Sequence, residues 1–142
     1  MRGLNISLLI LFSWNYPIFS YEVYGPPKIV HEALKKMTYR SGVKKAVREL
    51  LRESPLQGKK NSKLLEGVLI KIEGFYGRAR GHDILRVVYL SQVVCRVYGV
   101  MYFEKGPAYF YIDSYNSSDD WRVVDISLAM RPQEILPREL YE

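Results

Sequence analysis

The sequence predicts an α+β domain in which three N-terminal helices pack on one face of a four-stranded antiparallel sheet. Two observations lead to this fold class. Apolar residues recur with helical spacing in the first half, whereas from His82 onward Val, Ile, Tyr and Phe dominate and alternate with a period of two. The turns between the later segments are short, as in consecutive hairpins. With 142 residues, 48% hydrophobic and 25% charged, the chain fits one domain and is not a disordered protein.

The first twenty residues predict an export signal. Arg2 supplies a positive charge, and residues 4–14 are an apolar stretch of the length of a signal-peptide core, too short to span a membrane. Cleavage is expected after Ser20, which leaves a single domain over 21–131 and a C-terminal tail over 132–142. The predicted location is therefore periplasmic or extracellular. A packed first element and an uncleaved anchor are the alternatives.

Three helices are expected before the sheet. The first begins at Pro26 and Pro27, whose fixed φ suits a first helical turn. The second ends before Pro55, because the residue before a proline disfavours helix. Asn61 or Ser62 can cap the third. The apolar faces of the three helices are Ile29, Val30, Ala33, Leu34 and Met37; Val43, Val47, Leu50 and Leu51; and Leu64, Leu65, Val68, Leu69 and Ile72.

Four strands are expected over about 83–90, 93–103, 107–115 and 121–129, where β-branched and aromatic residues are concentrated. Alternation divides each strand between two faces of the sheet. The uniformly apolar faces should meet the helices. The opposite, outer face is expected to carry the aromatic residues Tyr98, Tyr102, Tyr109, Tyr111 and Trp121.

The segment 81–129 resembles the C-terminal half of the NTF2-like (nuclear transport factor 2-like, cystatin-like) superfamily, of the small exported bacterial type. The resemblance lies in the hairpin YFEKGP at 102–107, the aromatic strand AYFYI at 108–112 and the final strand beginning WRVV at 121–124. It implies a cone-shaped domain, with a curved sheet wrapped around helices and an apolar pocket, and dimerisation through the outer sheet face. Members include isomerases, dehydratases, ligand binders and interaction modules, so the fold does not decide the function.

The pocket that the resemblance implies is expected to bind a small apolar ligand. Its predicted lining is Tyr39, Phe75, Cys95, Met101, Phe110 and Ile112. None of these residues is a carboxylate, which disfavours catalysis. The alternative is a pocket enzyme of isomerase or dehydratase type, with Asp83 as the base and Tyr39 or Tyr76 as the hydrogen-bond donor.

No catalytic residue, metal site or cofactor is predicted. Cys95 lies among valines in the middle of a strand, which is typical of a core residue rather than of a nucleophile with His31 or His82 beside it. The single cysteine and two distant histidines form no recognisable set of metal ligands. A non-catalytic role is therefore favoured.

The outer face is predicted to be an interface, either of a homodimer or with another protein. Exposed aromatic patches usually mark contact sites. Arg96 and Asp113 are expected to pair across adjacent strands and to set their register. The predicted interface residues are Arg96, Tyr98, Tyr102, Tyr109, Tyr111 and Trp121. The alternatives are that the tyrosines simply suit solvated strands, or that the N-terminal segment covers them.

Charge is distributed unevenly along the chain. The 21 Lys and Arg residues exceed the 15 Asp and Glu residues, for a net charge of +6. Residues 28–80 carry +9 and residues 81–142 carry −3. A third hypothesis is therefore that the helical layer binds an anionic lipid surface or envelope polymer. Its candidate residues are Lys35, Lys36, Lys44, Lys45, Lys59 and Lys60.

The loop at 77–81, GRARG, could hold an anion through its arginines, but it lacks the ending of a phosphate-binding loop and also suits a solvated connection. Nucleic acid is disfavoured as a partner, because export would separate them and no recognition motif is present.

Overall fold

The computed structural model describes residues 25–118 and 120–142. Three helices precede a four-stranded sheet, which confirms the predicted α+β class and element order. The elements are α1 (Lys28–Lys36), α2 (Gly42–Leu50), α3 (Lys59–Tyr76), β1 (Ala79–Ser91), β2 (Val94–Phe103), β3 (Pro107–Ser117) and β4 (Asp120–Ala129), followed by short 3-10 turns at Pro132–Glu134 and Arg138–Leu140. The predicted export signal over 1–20 lies outside the described residues.

The sheet is an open antiparallel meander in the order β1-β2-β3-β4. β1 begins four residues earlier than predicted, because the long β2 offers backbone partners down to Phe103, which pairs with Ala79. Within the described residues, none of the helices is long and apolar enough to cross a lipid bilayer.

Glycines set two of the helix boundaries. At Gly42 an added Cβ would overlap the carbonyl oxygen of Met37, so the tight turn between α1 and α2 requires glycine. Gly77 ends α3 with a φ of +86°, in the region that favours glycine, and its N–H donates to the Glu73 carbonyl at 2.8 Å. The predicted cap of α3 was wrong: the Ser62 N–H already donates to the carbonyl of Gly58, so the helix begins before Ser62.

The core lies between the helices and one face of the sheet, the inner face. Phe110 on β3 is 1% exposed and is the largest fully buried side chain. Truncating such a phenylalanine to alanine typically costs about 3–5 kcal/mol. The buried Ser54 hydroxyl, in the segment after α2, donates to the Val123 carbonyl on β4. The helical layer is thus joined to the sheet by apolar packing and by this hydrogen bond.

A β-bulge between β3 and β4 changes the predicted alternation. Asp113 pairs with Asp125, but the next residue, Ser114, pairs with Val123, which leaves Val124 as the extra residue. Residues before the bulge therefore exchange faces. The placement of Trp121 on the outer face was wrong: it packs against the helix-side core, with its ring 5.8 Å from that of Tyr89.

Two buried apolar residues lie outside the helix-side core. Val100 is 4% exposed and, as the backbone partner of Tyr109, lies on the outer face. Leu136, between the two 3-10 turns, is also buried. Neither belongs to the cluster that the helices cover. The segment after β4 therefore packs on the domain through Leu136.

Candidate functional site

The space between the helices and the inner face is small. An apolar cavity of about 30 Å³ is lined by residues of all three helices and of β2, β3 and β4. A water molecule occupies about 30 Å³ in the liquid, and pockets for organic ligands are about 300–1,000 Å³. The helices would have to move apart before this cavity could take such a ligand.

The predicted pocket residues do not all meet at this cavity. Met101, Phe110 and Ile112 line it, and Cys95 lies fully buried on the same face of the sheet. Tyr39 lies in the turn between α1 and α2, and Phe75 lies on the solvent side of α3 with 69% of its surface exposed. The sequence of α3 shows a helical period, but it does not show which side of the helix faces the sheet. Tyr39 lies in a turn, where no such period applies.

A larger apolar space lies outside the core, between α3 and β4. This open groove has a volume of about 330 Å³ and includes Leu64, Val68 and Ile126. Leu64 is 68% exposed, although it belongs to the face of α3 that was predicted to be buried. The first half of α3 therefore covers β4 only in part.

The acid–base arrangement considered from the sequence is not assembled. Asp83 on β1 is the backbone partner of Val100, which places it on the outer face, away from the helix-side cavity. Its carboxylate accepts a hydrogen bond from Tyr102 at 2.8 Å. Tyr76 instead packs at the end of α3 against Phe103, with ring centroids 6.3 Å apart.

The outer face is organised around an ion pair. The Arg96 guanidinium on β2 donates from Nε and Nη2 to the two carboxylate oxygens of Asp113 on β3, at 2.7 and 2.6 Å. This two-point geometry is the strong form of the interaction. Asp113 also raises the pKa of Arg96, which stays charged at any ordinary pH. The predicted pairing of these residues is confirmed.

The tyrosines surround this ion pair. The Arg96 guanidinium carbon lies 4.2 Å from the ring centre of Tyr111 and 5.9 Å from that of Tyr98, within the range of cation–π attraction. The two rings meet edge to face at 6.3 Å. The Tyr111 hydroxyl donates to Asp125 on β4 at 3.0 Å, which raises the pKa of Tyr111.

Three carboxylates of this face have a side-chain donor on the same face. Asp83 accepts from Tyr102, Asp113 from Arg96, and Asp125 from Tyr111. The hydrogen bond from Tyr102 to Asp83 raises the pKa of Tyr102. These contacts hold the rings in place. Tyr102 is 42% exposed, whereas Tyr98, Tyr109 and Tyr111 are half-buried. The side chains of this face are therefore held in fixed positions.

Sequence reasoning missed three participants in this surface. Asp83 was considered only as a base, and Asp125 was given no role. Tyr115 lies at the end of β3, is 44% exposed and is the backbone partner of Val94. The alternation of β3 already placed Tyr115 with Tyr109 and Tyr111, and this was the signal that could have included it.

The surroundings of Cys95 and of the two histidines are those of structural rather than reactive residues. Burial raises the pKa of Cys95 to about 11, so its thiol is protonated and unsuited to nucleophilic attack at neutral pH. His31 on α1 and His82 on β1 meet edge to face with ring centroids 6.3 Å apart. Burial, followed by the neighbouring His31, lowers the pKa of His82. Among residues 25–118 and 120–142, no three or more His, Cys, Asp or Glu side chains are grouped to hold a metal ion.

Comparison with protein-family models gives no match for this chain, and comparison with curated proteins gives none.

Proposed function

We propose that this protein is a non-catalytic binding domain that associates with a second copy of itself through the outer face of its sheet. The observation that carries the proposal is the preorganised cluster of Arg96, Tyr98 and Tyr111 around Asp113. Tyrosine and arginine are enriched at protein interfaces, and rings already held in place lose little conformational freedom on binding.

Charge favours a second copy as the partner. In a two-fold dimer the same surface meets itself, so a strongly charged face would repel its own copy. On the outer face, Arg96 neutralises Asp113. Asp83 and Asp125 keep their negative charges while they accept from tyrosines, and Arg86, the backbone partner of Tyr98, adds a positive charge, so the net charge of the face stays small. The helical layer, by contrast, belongs to the segment with a net charge of +9. Self-association through the sheet therefore avoids the like-charge contact that the helices would create.

The small size of the internal cavity favours a function in self-association over a function in binding an organic ligand. A space of about 30 Å³ holds no organic molecule without displacing the helices. The proposal also includes the NTF2-like architecture, with which the order of three helices and a four-stranded meander agrees. In that group, dimerisation through the outer sheet face is the implied mode of association.

Export through the N-terminal segment remains part of the proposal. The apolar stretch at 4–14 and the small residue Ser20 support it. Mass spectrometry of the mature protein from its native host tests it directly. A measured mass that matches a chain starting at Tyr21 would support cleavage, whereas a mass that matches a chain starting at Met1 would contradict it.

Sedimentation equilibrium with two matched variants tests the interface. Tyr102 on the outer face and Tyr39 on the helical side are 42% and 45% exposed, so the same substitution can be made on both sides. We expect a dimer at about 100 μM for a Kd of about 1 μM. Tyr102→Arg should weaken it at least tenfold, and Tyr39→Arg should not. A monomeric wild-type chain, or equal loss in both variants, would contradict the proposal.

A further inference from the structure

The turn between α1 and α2 and the C-terminal end of α3 enclose a second open cavity. Its volume is about 530 Å³. Tyr39, Arg40 and Lys44 contribute from the turn and the start of α2, Ile70 from α3, and Arg78 from the link to β1. Residues more than thirty positions apart in the sequence thus meet at one opening.

The lining has an excess of positive charge. Arg40, Lys44 and Arg78 are exposed, and within the described chain none of them forms an ion pair within 4.0 Å. The only carboxylate in the lining is that of Glu73. Burial raises the pKa of Glu73, and the nearby charge of Arg78 acts against this. With Glu73 ionised, three positive charges face one negative charge.

Two nearby basic residues are neutralised by ion pairs. Lys36 pairs with Glu49 at 2.7 Å, and Arg80 pairs with Glu104 at 3.2 Å. Of the two arginines in the basic loop at 77–81, therefore, one is neutralised and only Arg78 is directed to the cavity. The cavity is distinguished by bringing Arg40, Lys44 and Arg78 to one opening, since exposed basic residues without an ion pair also occur elsewhere on the helices.

The cavity also has an apolar wall. Tyr39 is 45% and Ile70 is 51% exposed, and both belong to the lining. The position of the turn is fixed by Gly42, where any Cβ would overlap the Met37 carbonyl oxygen. The ring of Tyr39 and the side chain of Ile70 therefore line the same cavity as the three cations, and Gly42 fixes the backbone of the turn.

We propose that this cavity binds a phosphomonoester whose organic part is apolar. A phosphate monoester carries a charge of about −1.5 to −2 at neutral pH, which matches the excess of two positive charges. The guanidinium groups of Arg40 and Arg78 present paired N–H donors suited to phosphate oxygens, and Lys44 adds a point charge. Tyr39 and Ile70 can contact the organic part. This proposal is independent of self-association, since none of these residues lies on the sheet.

Titration calorimetry with phenyl phosphate tests the proposal on the full chain. We expect saturable binding with a Kd below about 1 mM. Arg78→Gln and Lys44→Gln should each weaken binding at least fivefold. Their matched controls, Arg48→Gln and Lys45→Gln, remove the same charge from exposed positions of α2 outside the cavity and should change binding less than twofold.

Four outcomes would overturn the proposal. Equal weakening in the cavity variants and their controls would mean attraction by net charge alone. Benzoate binding as tightly as phenyl phosphate would contradict selection of a dianion, and inorganic phosphate binding equally well would contradict the role of Tyr39 and Ile70. Absence of saturable binding up to about 10 mM phenyl phosphate would also reject the site. At that concentration, only a binding free energy smaller than about 3 kcal/mol would escape detection.

Discussion

Arg96 and Asp113 are backbone partners on β2 and β3, and their side chains form a two-point ion pair with N–O distances of 2.7 and 2.6 Å. The same register places Gly99 opposite Phe110 on the inner face. A slip by one residue would separate the charges and turn Phe110 toward solvent, because alternate residues face opposite sides. The ion pair and the core therefore specify one pairing of these strands.

A double-mutant cycle measures the strength of this pair. We expect Arg96→Ala and Asp113→Ala to show a favourable coupling of about 1 kcal/mol in urea unfolding, at the upper end for partly exposed pairs because the geometry is two-point. Arg131 and Glu134, an exposed pair three residues apart, provide the control cycle. Coupling at Arg96 and Asp113 no larger than in the control would mean that the pair does not contribute to register.

Gly99 and Gly74 should respond in opposite directions to alanine. At Gly99 a Cβ would overlap the Phe110 ring and lie 2.8 Å from the Asp83 carbonyl oxygen, so Gly99→Ala should lower the free energy of unfolding by about 1–3 kcal/mol. At Gly74, on α3, nothing lies within 4 Å, so Gly74→Ala should raise it by up to about 1 kcal/mol. Urea denaturation of both variants checks this. A tolerated Gly99→Ala would show that β1 and β2 are not in close contact there.

His82 should make stability depend on pH. Its pKa is lowered in the folded protein, chiefly by burial, so the unfolded chain takes up a proton first as the pH falls. The stabilisation is present above about pH 6.5, the ordinary histidine value, and is lost as the pH falls through the lower folded value. His82→Gln should reduce the loss of unfolding free energy between pH 7.5 and pH 5.5. An unchanged pH dependence in this variant would assign the effect to other groups.

The single thiol offers an independent test of the core. Burial raises the pKa of Cys95 to about 11, so an aryl disulfide reagent should not react with the native protein at pH 8 and should react rapidly in urea. The raised pKa also predicts stability that is full below about pH 8.5 and declines as the pH rises toward 11, because only the unfolded thiol ionises in that interval. Cys95→Ala should lack this contribution. Rapid reaction without denaturant would contradict the burial of β2.

The fold could be predicted from the sequence more completely than the candidate site. Helical spacing and β-rich composition were sufficient for the element order, and the pairing of Arg96 with Asp113 followed from alternation on neighbouring strands. The bulge at Val124 could not be read from alternation, because an extra residue leaves the local pattern apolar on both sides. Trp121 was therefore assigned to the wrong face.

The cavities depend on how the elements pack, which spacing does not specify. The orientation of α3 about its axis leaves Phe75 and Leu64 exposed. The position of the α1–α2 turn places Arg40 in the same cavity lining as Arg78. These contacts join segments far apart in the sequence. Composition indicated a positive helical layer, whereas only the packing shows which of its charges line a common cavity.

Contacts between two copies through the outer face can be observed directly by NMR. In a mixture of isotope-labelled and unlabelled chains, intermolecular NOEs arise only between protons of different copies. Self-association through the sheet predicts such NOEs at the ring protons of Tyr98, Tyr102 and Tyr111, and their loss in Tyr102→Arg. Intermolecular NOEs confined to the helices, or none at these rings at concentrations where sedimentation shows a dimer, would contradict it.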